Sequence, residues 1–172
     1  MLSELGHFAL IVAMMVALAQ SFLPIIGAAR GDAVLMRSAD VTSLLQAVLV
    51  AIAFGALMRG FVISDFSILN VVENSHSAKP MIFKVAATWG SHEGSLLLWV
   101  LILTLFGAMV SLFGTNLPDG LKARTLSVQA WITVGFLSFM IFTSNPFERL
   151  TMLPPDGQDL NPLLQDLSLI HI

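Results

Sequence analysis

A histidine and a glutamate stand side by side where a polar segment runs into a long apolar one. His92 and Glu93 lie in the stretch Trp89–Val100, which reads Trp-Gly-Ser-His-Glu-Gly-Ser and then Leu-Leu-Leu-Trp-Val. An ionisable side chain at membrane depth is costly unless it is paired or lines a polar cavity, so such a residue is a candidate for function. The simpler interpretation is a helix start with an interfacial tryptophan.

The spacing of these residues predicts how a helix would present them. Either Gly90 or Ser91 is a suitable N-cap, and Glu93 then falls in the first turn, where the helix dipole favours a carboxylate. Trp89, His92 and Glu93 have i, i+3, i+4 spacing. On one continuous helix they would share a face at the rim of the membrane, with an aromatic plane beside an imidazole and a carboxylate.

The surrounding residues add little catalytic chemistry. No second histidine follows four positions after His92, so the sequence excludes the zinc metalloprotease motif. Ser91 and Ser95 are near this histidine, but nothing else supports a nucleophile. Trp99 lies too deep for the interfacial belt, and we expect it to pack against a neighbouring helix. His76 lies among polar loop residues, which favours a solvated side chain.

The composition places the chain in a class before any motif does. Hydrophobic residues make up 56% of the chain and charged residues 11%, and the mean hydropathy is +0.87. Soluble domains carry roughly 25% charged residues, so this composition indicates an integral membrane protein. The absence of cysteine excludes disulfides, thiolate metal ligands and a CxxC motif. No basic patch supports nucleic-acid binding, and the partner expected from composition is membrane lipid.

Four apolar stretches are long enough to cross a bilayer, whose core needs roughly 20 helical residues. They lie at about residues 5–27, 41–58, 95–113 and 126–142. The first lacks a preceding charged region and is expected to be a retained helix. Asp40 is the expected N-cap of the second span and Arg59 its stop. The predicted fold class is an all-α polytopic membrane protein, with a transmembrane region 1–145, a loop 60–94 and a C-terminal segment 146–172.

The basic residues predict the orientation of these spans. Arg30 and Arg37 follow the first span, and Lys122 and Arg124 follow the third. By the positive-inside rule these two short connections are cytoplasmic and the N-terminus is outside. Two lysines in the loop 60–94 make the numbers of basic residues on the two sides nearly equal. The orientation is therefore predicted from the higher density of charge in the two short connections. The loop 60–94 and the C-terminal segment are then on the outer, periplasmic face.

Small residues recur at four-residue spacing within the spans and predict close helix packing. Such stripes let helix backbones approach in lipid, although chance alone explains many of them. The stripes are Ala9, Ala13, Ala17 and Ser21 in the first span, Ala47, Ala51 and Gly55 in the second, and Gly107 and Ser111 in the third.

Four stretches in the same order resemble a known family. They are Ala29–Ala33, Ala86–Val100, Thr143–Phe147 and Asp156–Gln165. Together they are similar to CcmF, the haem-handling membrane protein family of bacterial cytochrome c maturation, and the likeness covers nearly the whole chain. The motif residues that carry it within the second stretch are Trp89, Gly90, His92, Glu93, Gly94 and Trp99.

The resemblance implies a haem lyase of the bacterial inner membrane. Members of this family are much longer, and a tryptophan-rich external segment, the WWD domain, holds b-type haem for delivery to apocytochrome c. The implied partners are a haem chaperone, other cytochrome c maturation membrane proteins and apocytochrome c. His171 falls within one residue of the family's external haem-ligand position. The chain is expected to be an N-terminal fragment that ends before the WWD domain and is inactive alone.

Two alternatives from other classes remain at this point. The chain could belong to an ion- or proton-translocating membrane complex, with His92 and Glu93 handling protons at a helix end. Against this, no predicted span carries a charged residue in its interior. The second alternative is a passive membrane scaffold in which the motif only caps a helix.

Overall fold

A computed structural model describes residues 2–152 and 154–158 of the protein. These residues form six helices. Among these residues there is no β-strand, and an isolated antiparallel bridge joins Ile68 to Arg149. The all-α prediction is therefore confirmed. The helices are α1 (Leu2–Arg30), α2 (Ala33–Val62), α3 (Leu69–Asn74), α4 (Met81–Gly90), α5 (His92–Phe113) and α6 (Asp119–Phe142).

Four of the helices are long and apolar enough to span a membrane, as the composition predicts. They are α1, α2, α5 and α6, of which α5 has 22 residues and α2 has 30. At about 1.5 Å per residue the helices are at least about 33 Å long, which exceeds a bilayer core of about 30 Å. Between 33% and 44% of their most apolar windows is buried within the protein, so wide apolar faces remain open.

All four long helices begin before the predicted spans, and α1 and α2 also end after them, whereas α5 and α6 end at the predicted residues. The largest difference is in α2, whose N-cap is Asp32 and not Asp40, and whose last residue is Val62 rather than Arg59. The Asp32 carboxylate accepts a hydrogen bond from the backbone N–H of Val34 over 2.9 Å. Hydropathy falls at the first polar turn, whereas the helical backbone continues through it. The other helices extend beyond their predicted spans for the same reason.

Asp40 joins three helices instead of capping one. Its carboxylate lies 2.7 Å from the Lys122 ammonium of α6 and accepts a hydrogen bond from the Ser111 hydroxyl of α5 over 3.0 Å. Lys122 also donates to the Ser111 carbonyl over 2.7 Å. Because Lys122 is largely buried, with 14% of its side chain exposed, the pair compensates a charge that would otherwise be expensive to desolvate.

Two amide side chains, the buried Gln20 and the partly buried Gln129, connect antiparallel helices of the bundle. Gln20 of α1 donates to the Leu126 carbonyl of α6 over 3.2 Å, and Ser127 donates back to the Gln20 carbonyl over 3.2 Å. Gln129 of α6 donates to the Leu103 carbonyl of α5. Interhelical hydrogen bonds of this kind stabilise helix association where apolar burial alone gives no driving force.

The small-residue stripes were predicted correctly in two helices and wrongly in a third. All members of the stripes on α1 and α5 are buried between helices. On α2, however, only Ala47 is buried, while Ala51 and Gly55 are exposed. The buried face of α2 passes instead through Val50, Ala53 and Leu57, so the small residues that it buries are different from the predicted ones.

The loop 60–94 is largely helical and packs against the segment after α6. The backbone N–H of Leu69 donates to the Glu148 carbonyl over 2.9 Å, and Leu150 donates to the Ser67 carbonyl over 3.1 Å. Phe147 is buried against α1, where a Cβ on Gly6 would overlap its ring. These contacts gather α3, α4, residues 143–152 and residues 154–158 at one end of the bundle, which we call the α3–α4 end.

Asp156 anchors residues 154–158 to the turn after α3. Its carboxylate accepts hydrogen bonds from the backbone N–H and the hydroxyl of Ser77, and His76 lies 3.5 Å away. His76 also accepts a hydrogen bond at Nδ1 from the Ala78 N–H over 3.1 Å, so this partly exposed ring has neighbours within the turn as well as solvent. Hydrogen bonds from the Ser77 hydroxyl and N–H lower the pKa of Asp156 to about 2, with smaller contributions from the Gly157 N–H and His76, against the opposing effect of desolvation.

A sharp corner separates α4 from α5. Ser91 is the N-cap of α5, with an extended backbone, and its hydroxyl accepts a hydrogen bond from the Gly94 N–H over 3.0 Å. A Cβ on Gly94 would overlap the backbone carbonyl oxygen of Thr88, whereas a Cβ on Gly90 would meet nothing within 4 Å. The corner therefore requires glycine at position 94 and not at position 90.

This difference predicts opposite effects for two alanine substitutions in one motif. Gly94→Ala should lower the free energy of unfolding by about 1–3 kcal/mol, because the overlapped atom belongs to the backbone and cannot move aside. Gly90→Ala, the matched control, should leave it unchanged or raise it slightly. Thermal unfolding of both variants in detergent measures the difference, and equal stabilities would contradict the described corner.

The anchor at Asp156 predicts a dependence on acid pH. Because folding lowers the pKa of this carboxyl from 3.8 to about 2, its stabilising contribution is complete above about pH 4 and is lost as the pH falls toward 2. Proteolysis after residues 75–79 should therefore increase across that interval. Asp156→Asn should already be susceptible at neutral pH and should show no such step, and an identical pH profile in both chains would contradict the anchor.

Candidate functional site

His92, Ser144 and Glu93 form a hydrogen-bonded chain where α5 begins and α6 ends. Nδ1 of His92 lies 3.0 Å from the Ser144 hydroxyl oxygen, and that hydroxyl donates to Oε1 of Glu93 over 3.3 Å. A carboxylate only accepts, so the single hydroxyl proton is directed to Glu93 and the hydroxyl oxygen accepts from Nδ1–H. In a neutral ring this assignment leaves the lone pair on Nε2.

The His92 ring is fixed on one side and open on the other. Ser144 is buried, with 7% of the residue exposed, whereas 63% of the His92 side chain is exposed. The Phe139 ring packs edge-on against the imidazole, with centroids 6.3 Å apart and planes at 75°. Among the described residues, Nε2 of His92 has no hydrogen-bond partner. Because His92 is exposed, this nitrogen is not an unpaired atom of the protein interior.

An apolar groove begins beside this ring and runs between α5 and α6. It is shallow and open to the surroundings, with a volume of about 380 Å³. Phe139 belongs both to the groove and to the contact with His92. A Cβ on Gly135 would meet nothing within 4 Å, so this glycine opens into free space. The groove is lined by Leu96, Ile132, Gly135, Phe136 and Phe139.

On the other side of Glu93 lies a small polar cavity of about 60 Å³. Three carboxylates line it, and Nδ2 of the buried Asn70 has no hydrogen-bond partner there. Within residues 2–152 and 154–158, no group of three or more histidine, cysteine, aspartate or glutamate side chains is arranged to hold a metal ion. The lining residues are Leu69, Asn70, Glu73, Glu93, Thr143, Ser144, Asn145 and Glu148.

The motif residues are only partly arranged as the sequence predicts. Ser91 is the N-cap, and Glu93 lies in the first turn of α5, as expected. Trp89 does not share a helical face with His92 and Glu93, because Ser91 interrupts the helix between them. Gly90 is the last residue of α4, so it caps nothing.

Trp99 was predicted to pack against a neighbouring helix, and among the described residues of this chain it does not. It is 68% exposed on the outer side of α5, whereas Leu97 and Val100 are fully buried. The depth of Trp99 in its apolar stretch gave no information about which face of α5 it occupies. His171 lies outside the described residues, so its predicted role as a ligand stays a prediction.

Sequence reasoning missed Ser144 and Phe139, the two residues that hold the His92 ring. Ser144 is 52 positions from His92 in the chain. Their contact depends on the antiparallel arrangement of α5 and α6, which brings the end of one helix beside the start of the other. The Thr143–Phe147 stretch was singled out by resemblance, but no local pattern indicated this hydrogen bond.

Comparisons with known proteins give the family. The family model described as "Cytochrome C assembly protein" matches residues 89–172 and so begins at the first motif tryptophan. The cytochrome c-type biogenesis protein CycK of Rhizobium meliloti is 54% identical over 99% of this chain and 25% of its own length. CcmF of Pseudomonas aeruginosa is 52% identical and CcmF of Escherichia coli 46%, each over 99% of this chain and 26% of its own length.

A solved structure agrees with these relatives. The chain titled "Cytochrome c Heme Lyase CcmF" superposes with a TM-score of 0.82 at 27% identity, over 88% of this chain and 25% of that one. The present chain spans about a quarter of the length of the curated relatives that it matches. With the four membrane helices, these matches show that the chain belongs to the CcmF family of cytochrome c-type biogenesis proteins, as the four resembling stretches predicted.

Proposed function

We propose that this chain is part of a cytochrome c haem lyase, which handles haem at the outer face of the bacterial inner membrane for covalent attachment to apocytochrome c. The observation that carries the proposal is the 46–54% identity to bacterial cytochrome c-type biogenesis proteins over 99% of the chain. The likeness to a cytochrome c haem lyase structure supports it. The activity belongs to the longer protein, and the 172 residues alone are expected to be inactive.

The proposal places the α3–α4 end and the segment 146–172 in the periplasm. Three exposed arginines, Arg30, Arg37 and Arg124, surround the two short connections at the opposite end, which the positive-inside rule assigns to the cytoplasm. Lys84, at the α3–α4 end, is 9% exposed and donates to the Ser64 hydroxyl over 2.7 Å. The site around His92 would then face the compartment in which cytochrome c matures.

The His92 imidazole and the nearby phenylalanines are the residues of this site that would suit a haem. Neutral imidazoles bind haem iron axially, and aromatic side chains flank the porphyrin. Bound haem would supply the vinyl groups that react with the two thiols of an apocytochrome CxxCH segment. This chain supplies an exposed imidazole, an apolar groove with two phenylalanines, and a hydrogen-bonded carboxylate. His171 is the further ligand candidate, from resemblance alone.

The pathway implied by the relatives also gives the proposed partners. They are a membrane-bound haem chaperone that delivers haem, the other cytochrome c maturation membrane proteins, and apocytochrome c. The α3–α4 end offers the folded surface for them, since helices α3 and α4 and residues 154–158 are all attached there. The haem in the intact protein is proposed to be b-type.

Titration of the purified chain with haemin in detergent micelles tests the proposed function. A haem-handling chain should give a saturable shift of the Soret band beyond that of empty micelles. The passive-scaffold alternative predicts no saturable binding, and that result would overturn a direct part for these residues in handling haem. The proton-translocating alternative predicts instead a proton flux in liposomes that Glu93→Gln abolishes.

A further inference from the structure

We propose that a pocket between the first turns of α1 and residues 145–149 binds a zwitterionic phospholipid, phosphatidylethanolamine, by its headgroup. The pocket, which we call the α1 pocket, has a volume of about 430 Å³ and shares no residue with the groove beside His92. Five residues of α1 between Ser3 and Ile11 line it, together with four of the residues 145–149. The proposal goes beyond the proposed function and does not depend on haem.

The length of α1 places the α1 pocket at the level of the lipid headgroups. This helix has 29 residues, which correspond to about 43 Å, whereas a bilayer core is about 30 Å thick. About four residues at each end therefore extend beyond the hydrocarbon. Ser3 and Glu4 then lie among the headgroups, and Phe8 and Ile11 lie where the hydrocarbon begins.

Arg149 provides a fixed cation in the α1 pocket. Its Nε and Nη2 atoms donate to the hydroxyl of the buried Ser3 over 3.2 Å and 2.8 Å, and Nη1 lies 3.3 Å from the Glu4 carboxylate. A guanidinium carries five N–H groups, so these contacts leave donors available on a side chain that is 45% exposed. Its planar geometry suits the oxygen atoms of a phosphate.

Glu148 provides an opposite charge directly beside Arg149. Its side chain is exposed and has no hydrogen-bond or ion-pair partner in the described part of the chain. Because Glu4 also lines the pocket, the lining carries two carboxylates and one guanidinium. This balance disfavours a purely anionic headgroup, whereas a headgroup with a phosphate and an ammonium matches Arg149 and Glu148.

An apolar track leads from the α1 pocket along α1. Phe8, Ile11 and Met15 have i, i+3, i+7 spacing and so share one face of the helix. Phe8 and Met15 are each 63% exposed, and no charged residue occurs in α1 between His7 and Arg30. An acyl chain can lie on this face while the headgroup remains at the charged end, so the site fits a whole lipid and not a free phosphate.

Competition between two lipids tests the headgroup. In micelles that contain equal amounts of phosphatidylethanolamine and phosphatidylglycerol, native mass spectrometry of the chain should show about threefold preferential retention of phosphatidylethanolamine, the scale of one exposed ion pair. Glu148→Gln should abolish this preference. Glu73→Gln, the matched control, changes another exposed glutamate that does not line the α1 pocket and should retain it. Equal retention of the two lipids by the native chain would overturn the proposal.

Photocrosslinking in the bacterial membrane tests the occupant in the presence of any further part of the protein and its partners. With benzoylphenylalanine in place of Phe8, illumination should give lipid adducts enriched in phosphatidylethanolamine. The same substitution at Phe106 is the control, because this residue of α5 is 61% exposed and lies outside the α1 pocket. It should give adducts in the proportions of the bulk membrane.

Two results of this experiment would contradict the proposal. A protein adduct in place of lipid at position 8 would mean that another polypeptide segment covers the α1 pocket. The same lipid mixture at positions 8 and 106 would mean that the pocket makes only the contacts of any lipid-facing surface. Enrichment at position 8 that is lost in Glu148→Gln and kept in Glu73→Gln supports the proposal.

Discussion

The arrangement of this end of the bundle depends on the close approach of Gly94 to the carbonyl oxygen of Thr88. No side chain fits between them, so α4 can turn sharply into α5 only at a glycine. Ser91 completes the corner as N-cap and accepts the Gly94 N–H. The turn places His92 and Glu93 on the first helical residues of α5, with His92 exposed and Glu93 partly buried.

The residues that follow α6 complete the polar site at this corner. Ser144 follows α6 and is buried against the start of α5, where its hydroxyl joins His92 to Glu93. Residues 147–150, which come next, form backbone hydrogen bonds with residues 67–69. The same segment therefore contributes to the polar site and stabilises the packing of the α3–α4 end. A disturbed corner would therefore alter the orientation of the imidazole as well as the stability.

Four spans and their family were predictable from the sequence, whereas the contacts at the site were not. Long apolar stretches have few structures available in a membrane, and the Trp-Gly-Ser-His-Glu-Gly motif is specific enough to identify relatives. Helix ends such as Asp32 were missed because hydropathy measures lipid compatibility and not backbone geometry. The face of Trp99 and the Ser144 contact depend on how helices pack, which a local pattern does not contain.

The central claim is that the α4–α5 corner and Ser144 hold His92 with its Nε2 lone pair outward. Nitrogen NMR of the chain labelled with ¹⁵N-histidine, at mildly alkaline pH and with His92 assigned by comparison with His92→Gln, reads the tautomer directly. The account predicts a neutral ring protonated at Nδ1 in the native chain, and loss of that preference in Ser144→Ala. A ring protonated at Nε2 in the native chain would contradict it.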